Sequence, residues 1–163
     1  MSTLGELRTI LANCRTIAVV GLSPQWNRPS FFAAKYMQTH GYRIVPVNPT
    51  ASEILGQPCY PSLSAASAAL AAQGERIDLV DCFRKSEDID PIAQEAIEIG
   101  ARCLWQQIGV VNHEAAAAAR GAGLLTVMDR CVKIEHARLF GGLGWFGVNT
   151  GVISARRPQQ LPY

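Results

Sequence analysis

Short apolar runs alternate along the chain with segments whose apolar residues recur at helical spacing. Five runs predict strands, at residues 16–20, 43–47, 77–82, 101–105 and 124–128. The first run shows no alternation of apolar and polar residues, which is typical of a strand covered on both faces. Pro46 cannot donate to a strand ladder, so we expect its strand either to face an edge or to end there.

Helices are predicted between these strands. Thr3 and Glu6 match a capping box ahead of leucines at helical spacing. Three further helices are predicted to begin at the N-caps Ser30, Ser86 and Asn112 and to extend to Met37, Ile99 and Arg120. The alanine-rich stretch at 64–73 predicts a short surface helix.

This alternation predicts the α/β fold class. Short connections between alternating strands and helices require right-handed crossovers and a parallel sheet. We therefore expect a Rossmann-like, doubly wound, parallel five-stranded sheet with strand order 3-2-1-4-5. The chain is predicted to be one domain, 1–163, with a core at about 14–139 and a Gly-rich C-terminal extension at 140–163. Ligands of such sheets bind beyond the carboxyl ends of the strands, where the strand order reverses.

Composition narrows the class of protein. With 48% apolar and 17% charged residues among 163, the chain is neither disordered nor a charged tail. The net charge of +2 does not suggest a nucleic-acid binder. No apolar stretch reaches the roughly 18 residues of a membrane helix, and no signal-peptide pattern is present. The five cysteines form no C-x-x-C pair, so we expect a cytoplasmic protein with free thiols.

Polar residues follow the first two predicted strands. Gly21 begins a loop that lacks the other glycines of the G-x-G-x-x-G turn, but Ser23 and Arg28 precede a helix start, where anions bind well. A surface loop closed by two prolines is an equally weighted alternative. Asn48 stands near the position where NAD-binding domains place an acid. The alternative is that Asn48 and Pro49 only start a turn.

Polar residues also follow the remaining strands. Phe83 could stack on a base while neighbouring cations meet phosphates, although solvated charges in a helix-entry loop are the alternative. The amides of Gln106 and Gln107 suit hydrogen bonding to a neutral polar group. Five cations follow strand ends, namely Arg28, Arg84, Lys85, Arg130 and Lys133. Positive charge at this edge predicts a small ligand with several phosphates.

Taken together, these segments carry a family resemblance. Residues 17–23, 27–30, 45–49, 78–81, 83–84, 104–109, 128–131 and 135–136 resemble, in this order, the small stand-alone CoA-binding protein family. That family is similar to the CoA-binding domain of the succinyl-CoA synthetase alpha subunit. The resemblance extends from about residue 16 to 139. It implies a Rossmann-like fold with coenzyme A bound across the strand edge.

The resemblance also implies a set of cofactor-binding residues. Gly21, Ser23 and Arg28 would meet the phosphates. Flanking residues of the adenosine would be Val47, Asn48 and Pro49. Phe83 and Arg84 would line the same groove, and Gln107 and Gly109 the pantetheine arm. Leu22, Pro29, Ser30 and Cys131 complete the candidate set.

The predicted function is the binding of coenzyme A or an acyl-CoA by a non-catalytic carrier, sensor or subunit. The alternatives are an NAD(P)-dependent enzyme on the same fold and the CoA-site subunit of a larger acyl-CoA ligase. The partner is a small molecule, not nucleic acid or a membrane, and a homodimer or protein partner stays open. We leave open whether the protein is an enzyme, and we assign no catalytic residue.

Cys131 raises the question of chemistry at this edge. Cys131 and His136 are the one nucleophile–base pairing that the sequence suggests, with Arg130 and Lys133 expected to lower the thiol pKa. The alternatives are a buried or binding-site thiol, or a thiol that forms a mixed disulfide with CoA. We expect no metal site, because Cys131 and His136 supply only two ligands at poor spacing.

Overall fold

Strands and helices alternate along residues 2–141, the part of the chain that the computed structural model describes. The strands are β1 (Thr16–Val20), β2 (Arg43–Val47), β3 (Glu53–Ile54), β4 (Gln57–Pro58), β5 (Leu79–Cys82), β6 (Cys103–Gln106) and β7 (Leu125–Val127). The α-helices are α1 (Leu4–Asn13), α2 (Pro29–Thr39), α3 (Leu63–Ala71), α4 (Ile89–Glu98), α5 (His113–Gly121) and α6 (Val132–Phe140). Apart from Phe140 and Gly141, the predicted extension at 140–163 lies outside the described residues.

Five strands form one parallel sheet, in the order β2-β1-β5-β6-β7. The chain moves outward from β1 to β2, crosses back to β5 on the other side of β1, and then continues outward. The order therefore reverses between β1 and β5. This confirms the predicted α/β, Rossmann-like class with a doubly wound parallel sheet.

The predicted strand order needs one correction. The segment expected as the third strand, now β5, pairs directly with β1, so the five strands numbered along the chain lie in the order 2-1-3-4-5. In a 3-2-1-4-5 order, a third strand would pair with the outer edge of β2. In this protein Tyr60 lies at that edge and makes a single parallel bridge with Val47. This single bridge lies between Pro58 and Pro61, so the sequence has no apolar run there that would predict a strand. β3 and β4 form a separate two-stranded antiparallel ladder that was not predicted.

Pro46 lies in β2 with its backbone turned to the outer side of the strand. The Pro46 carbonyl accepts from Tyr60 N at 3.0 Å, whereas the carbonyl of Val47 accepts from Gly21 N, on the β1 side. The missing N–H of Pro46 therefore costs no hydrogen bond to β1. The strand continues through the proline because it is the edge strand of the sheet.

Helix starts follow the predicted caps only in part. Thr3 and Glu6 form the predicted capping box, and Asn112 accepts from Ala115 N as an N-cap. Ser30 is not an N-cap, because Pro29 fits the first helical position and α2 begins there behind Arg28. Ser86 opens a 3₁₀ turn instead, Ser86–Asp88, before α4.

Apolar layers cover both faces of the sheet. On one face α3, α4 and α5 pack over alternate residues of β1 and β5, such as Ala18 and Val80. On the other face α1, α2 and α6 cover the intervening residues, such as Ile17 and Leu79. The helix predicted over 64–73 contributes Leu63, Ala66 and Leu70 to the core and so is not merely a surface helix. No helix among residues 2–141 combines the length and apolarity needed to cross a bilayer.

α6, which was not predicted, brings a buried ion-pair cluster into the fold. Glu135 is fully buried, and its two carboxylate oxygens accept from Arg130, at 3.1 Å, and from Arg138. Arg138 Nε has no further partner in the described chain. Removing the carboxylate would therefore leave two guanidinium groups without their counter-charge in a largely dry environment.

The outer edge of β7 is contacted by the segment that precedes α1. Ser2 Oγ donates to the carbonyl of Thr126 at 2.9 Å. Arg120 donates to the Thr126 hydroxyl from α5 at 2.7 Å. This edge strand is short, three residues, and its edge carbonyl is satisfied from outside the sheet.

We predict that Glu135→Ala lowers the free energy of unfolding by about 3 kcal/mol, because it breaks a buried ion pair and strands two arginines. Urea denaturation checks this. The matched control is Glu75→Ala, which removes the carboxylate of the half-exposed Arg43–Glu75 pair and should cost less than about 1 kcal/mol. Equal losses in the two variants would contradict the prediction.

Candidate functional site

Gly21 follows β1 at the reversal of strand order and lies directly against the backbone of Phe83, which follows β5. Gly21 has φ of +86°, and its N–H donates to Val47 O at 2.9 Å. A Cβ at this position would lie 2.3 Å from the carbonyl oxygen of Phe83. Only glycine fits, both in its dihedral angle and in its contact. The end of β1 is thus held between the ends of β2 and β5.

The loop after Gly21 is closed by its own polar groups. Ser23 N donates to Ser30 Oγ at 3.0 Å, and Gln25 N donates to Ser23 Oγ at 3.1 Å. Arg28 Nε donates to Gln25 Oε1 at 3.3 Å, while the Arg28 side chain is exposed just before α2. Ser30 therefore closes the loop rather than capping the helix. The Ser23 hydroxyl and the Arg28 guanidinium keep donors for an anion.

Asn48 ties the loops that follow β1 and β2 together. Its side-chain amide donates to the carbonyl of Leu22 at 2.9 Å. Its oxygen Oδ1 accepts from Thr50 N at 2.9 Å and from Thr50 Oγ1 at 2.8 Å. Asn48 therefore starts a turn, as one of the two sequence interpretations expected. A contact between Asn48 and a ligand stays a prediction.

A cavity of about 360 Å³ opens at the carboxyl ends of β1 and β2. Its walls include Val47, Pro49 and Arg84 from the predicted set, together with Ser62 at the start of α3. The carboxylates of Asp88 and Glu95 also line it. A second groove of about 750 Å³ lies along β7, between α1 and α5. It is lined by none of the predicted cofactor-binding residues, although Arg130 of the predicted cation group lines it.

A buried polar pair lies further along the same edge. Gln107 Nε2 donates to Asp81 Oδ1 at 2.6 Å, and both side chains are at most 2% exposed. Burial raises the pKa of Asp81 to about 7, although the hydrogen bond from Gln107 opposes the shift. Gln107 Oε1 has no hydrogen-bond partner within residues 2–141. Sequence reasoning missed Asp81, although an acid inside an apolar strand was a usable signal.

The neighbouring turn is fixed by Asp129 and Trp105. Gly109 N donates to Asp129 Oδ1 at 2.7 Å. The indole of Trp105 donates to the carbonyl of Arg130 at 2.7 Å, and Arg130 N donates to Gln106 O at 3.4 Å. These bonds hold Cys131, the N-cap residue of α6, at the carboxyl end of β6.

The hypothesis of a Cys131 thiol activated by neighbouring cations, one of the alternatives drawn from the sequence, is wrong. Burial raises the pKa of the Cys131 thiol, although the backbone N–H groups of Ile134 and Lys133 act in the opposite direction. The predicted pairing with His136 is also not formed. The His136 ring lies 3.1 Å from the hydroxyl of Tyr36, in an aromatic cluster on the α2–α6 side.

Only part of the predicted group of five cations is exposed at the carboxyl edge. Arg130 is paired with Glu135, and Lys133 Nζ lies 5.8 Å from the centre of the Tyr36 ring. Arg28, Arg84 and Lys85 remain exposed at the carboxyl edge. Within the described part of the chain, no group of three or more His, Cys, Asp or Glu side chains is arranged to hold a metal ion.

The chain matches the model of one protein family over most of its length. A family model described as a CoA binding domain matches residues 15–137, and the chain belongs to this family. An uncharacterized protein of Bacillus subtilis (strain 168), YneT, is 41% identical over 132 residues, which are 81% of this chain and 93% of that protein.

Solved structures show the same architecture. A hypothetical protein from Pyrococcus horikoshii OT3 is 38% identical, with a TM-score of 0.77 over 86% of this chain and 94% of that one. The dinucleotide-forming acetyl-coenzyme A synthetase 1 of Ca. Korarchaeum cryptofilum has a TM-score of 0.56 at 18% identity. That match covers 70% of this chain but 26% of the synthetase chain, and it shows the fold alone.

We predict that Gly21→Ala destabilises the protein by about 3 kcal/mol, because a positive φ is combined with an overlap against backbone. Gly56→Ala is the matched control, since Gly56 also has positive φ, 71°, but a Cβ there meets nothing within 4 Å. The control should lose only about 1 kcal/mol. Chemical denaturation of both variants measures the difference, and equal losses would show that the contact with Phe83 is unimportant.

We also predict a pH-dependent stability difference between the wild type and Asp81→Asn. The folded state holds a proton on Asp81 up to about pH 7, whereas the unfolded chain releases it near 3.8. The stability contributed by this proton is therefore complete below pH 3.8 and is lost as the pH rises towards 7. Relative to the variant, the wild type should weaken with a slope of up to about 1.4 kcal/mol per pH unit. Parallel stability curves would contradict this.

Proposed function

We propose that this protein binds coenzyme A or an acyl-CoA across the carboxyl edge of its sheet, as a non-catalytic carrier, sensor or subunit. The observation that carries the proposal is the cavity of about 360 Å³ at the carboxyl ends of the strands, next to the reversal of strand order, in a chain of the CoA binding domain family. Open α/β sheets take their ligands at this point.

Positive charge near this cavity supports a phosphorylated ligand. Arg28 precedes the start of α2, and Arg84 lies on the other side of Gly21, with its Nε 3.2 Å from where a Cβ of Gly21 would be. Two exposed guanidinium groups, one after β1 and one after β5, suit the separate phosphates of CoA. Asp88 and Glu95 restrict the favourable position of a phosphate to the Gly21 side of the cavity.

We infer the direction of the ligand from the order of the strands. The adenosine lies at the end of β2, beside Val47 and Pro49, in the cavity of about 360 Å³. The pantetheine arm then passes β1 and β5 and reaches Gln107 and Gly109 beyond β6. From β2 to β6 there are three strand spacings, or roughly 14 Å. An extended pantetheine arm suits this span.

The alternative functions, the compartment and the partners are also proposals. Asn48 is neutral and already bound to Leu22 and Thr50, which does not favour the ribose contact of an NAD-dependent enzyme. The likeness to an acetyl-coenzyme A synthetase keeps the alternative of a CoA-site subunit of a larger ligase, like the succinyl-CoA synthetase alpha subunit. All five thiols are free, which suits a reducing cytoplasm. We propose one domain for the chain, with CoA rather than nucleic acid or a membrane as partner.

Thermal unfolding with CoA, acetyl-CoA, NAD, NADP and ATP at matched concentrations tests the ligand class. We predict stabilisation by CoA or acetyl-CoA, worth about 2.7 kcal/mol at 100 times the dissociation constant. Stabilisation by the dinucleotides without any by CoA would favour the enzyme alternative and refute the proposal.

The placement of the phosphates is tested by Arg28→Ala. The change should weaken CoA binding and reduce its dependence on salt, because one cation–phosphate contact is lost. The matched control is Arg76→Ala, since Arg76 is an exposed arginine near Asp78, at the opposite edge of the sheet. Titration calorimetry at two salt concentrations gives both quantities. Equal effects of the two changes would show that the phosphates bind elsewhere.

A further inference from the structure

One wall of the cavity of about 360 Å³ beside β2 is a charged helix face. Asp88, Ile92 and Glu95 line the cavity, and they follow one another at i, i+4 and i+7, which is the spacing of one face at the start of α4. Ile92 is buried, whereas Asp88 is exposed and Glu95 is partly buried. Two carboxylates therefore flank an apolar side chain on this wall.

Both carboxylates keep acceptor positions for a ligand. Glu95 Oε1 accepts from Ser64 Oγ of α3 at 3.0 Å, which fixes the side chain and leaves Oε2 for another donor. Asp88 is the N-cap residue of α4 but makes no side-chain cap hydrogen bond. An ionised carboxylate only accepts hydrogen bonds, so this wall suits a ligand group that donates them.

The positive charge of the cavity lies at its Gly21 end. Arg84 is the one cation among the described residues that line the cavity. Its Nε lies 3.2 Å from where a Cβ of Gly21 would be, next to the reversal of strand order. A ligand that matches these charges has its diphosphate near Arg84 and its hydroxyl groups near Asp88 and Glu95.

The cavity has the size and the apolar surfaces for a nucleoside. Its volume of about 360 Å³ lies near the lower end of the range of small-ligand sites, about 300–1,000 Å³. Val47 and Pro49, at the end of β2, and Pro61, before α3, supply apolar contacts for a base. Among the parts of a nucleoside, the ribose is the one whose hydroxyls can donate to the carboxylates of α4.

We propose that Asp88 and Glu95 accept hydrogen bonds from the ribose hydroxyls of the bound adenosine, so that the cavity favours a ribose that carries no phosphate. The inference rests on the proposed function, which places the adenosine here. An acid that binds a ribose hydroxyl is how other α/β sheets recognise an unphosphorylated ribose. Coenzyme A has a phosphate on its 3′-hydroxyl, and this group would face two carboxylates. Dephospho-CoA, which has the same arm and a free 3′-hydroxyl, is therefore the preferred ligand.

Titration calorimetry of the full chain with CoA and with dephospho-CoA measures this preference. We expect dephospho-CoA to bind about tenfold more tightly, because a phosphate of charge about −2 is kept away from two carboxylates. High salt should reduce the preference, since these charges are partly screened. In the double variant Asp88→Asn/Glu95→Gln the two ligands should bind about equally, because an amide oxygen still accepts from a hydroxyl but carries no charge.

Glu98→Gln is the matched control for Glu95→Gln. Glu98 also lies on α4 and accepts from Gln94 at 3.1 Å, but it does not line the cavity. Both changes remove one negative charge from the same helix. Glu95→Gln should reduce the preference to about threefold, and Glu98→Gln should leave it at about tenfold. Equal reductions in the two variants would overturn the inference by showing a general effect of net charge.

The remaining outcomes separate this inference from the proposed function. If CoA binds as tightly as dephospho-CoA, or if the preference persists in the double variant, the inference is overturned and the proposed function stands. NAD is the third titrant, because its adenosine ribose also has free hydroxyls. Binding of NAD without binding of CoA or dephospho-CoA would refute the proposed function, and the inference with it.

Discussion

The missing side chain at Gly21 is the constraint on which the carboxyl edge of the sheet depends. The carbonyl of Phe83 occupies the space that a Cβ would need, so the ends of β1 and β5 can approach closely only with glycine there. From this point the loop to α2 and the turn to α4 diverge in opposite directions. Arg84, on the β5 side of this point, lines the cavity of about 360 Å³ in which the proposed ligand path begins.

The burial of polar groups increases along the carboxyl edge, from the cavity beside β2 towards β6. Near β2 the cavity is lined by apolar side chains, the exposed Arg84 and the carboxylates of Asp88 and Glu95. Near β6 the edge is closed and its polar groups, Asp81 and Gln107, are buried. The gradient from open and charged to closed and neutral matches a ligand with a charged nucleotide at one end and a weakly polar arm at the other.

Local sequence patterns predicted the five strands of the main sheet and most of the helices, but not the strand pairing. Thr16–Val20 and Arg43–Val47 were predicted to the residue, because buried parallel strands are uninterrupted apolar runs. The neighbour of β2 was missed because Tyr60 contributes a single bridge. α6 was missed as well, because its apolar residues are interrupted by Glu135 and His136. Glu135 is buried by pairing with the nearby Arg130 and Arg138, and His136 lies against the distant Tyr36.

For the candidate site, the sequence likewise predicted positions in the sheet but not side-chain partners. The rule that ligands bind at strand ends placed Gly21, Val47 and Arg84 at one edge, where the structure also has them. What the rule could not supply is the partner of each side chain. Gln107 finds Asp81 26 residues away in sequence, and the charge of Arg130 is taken by a glutamate that only helix formation brings near. The first pairing depends on tertiary structure and leaves no local pattern, and the second depends on α6, which was not predicted.

The two outer strands of the sheet have a consequence for behaviour at high concentration. An open strand edge invites a strand of another molecule to pair with it and so seeds aggregation. On one side Pro46 offers no N–H and its carbonyl is bound to Tyr60. On the other, Ser2 occupies the carbonyl of Thr126. Both edge strands therefore have backbone groups that are absent or already bonded. A strand of another molecule would find few free backbone groups to pair with at either edge.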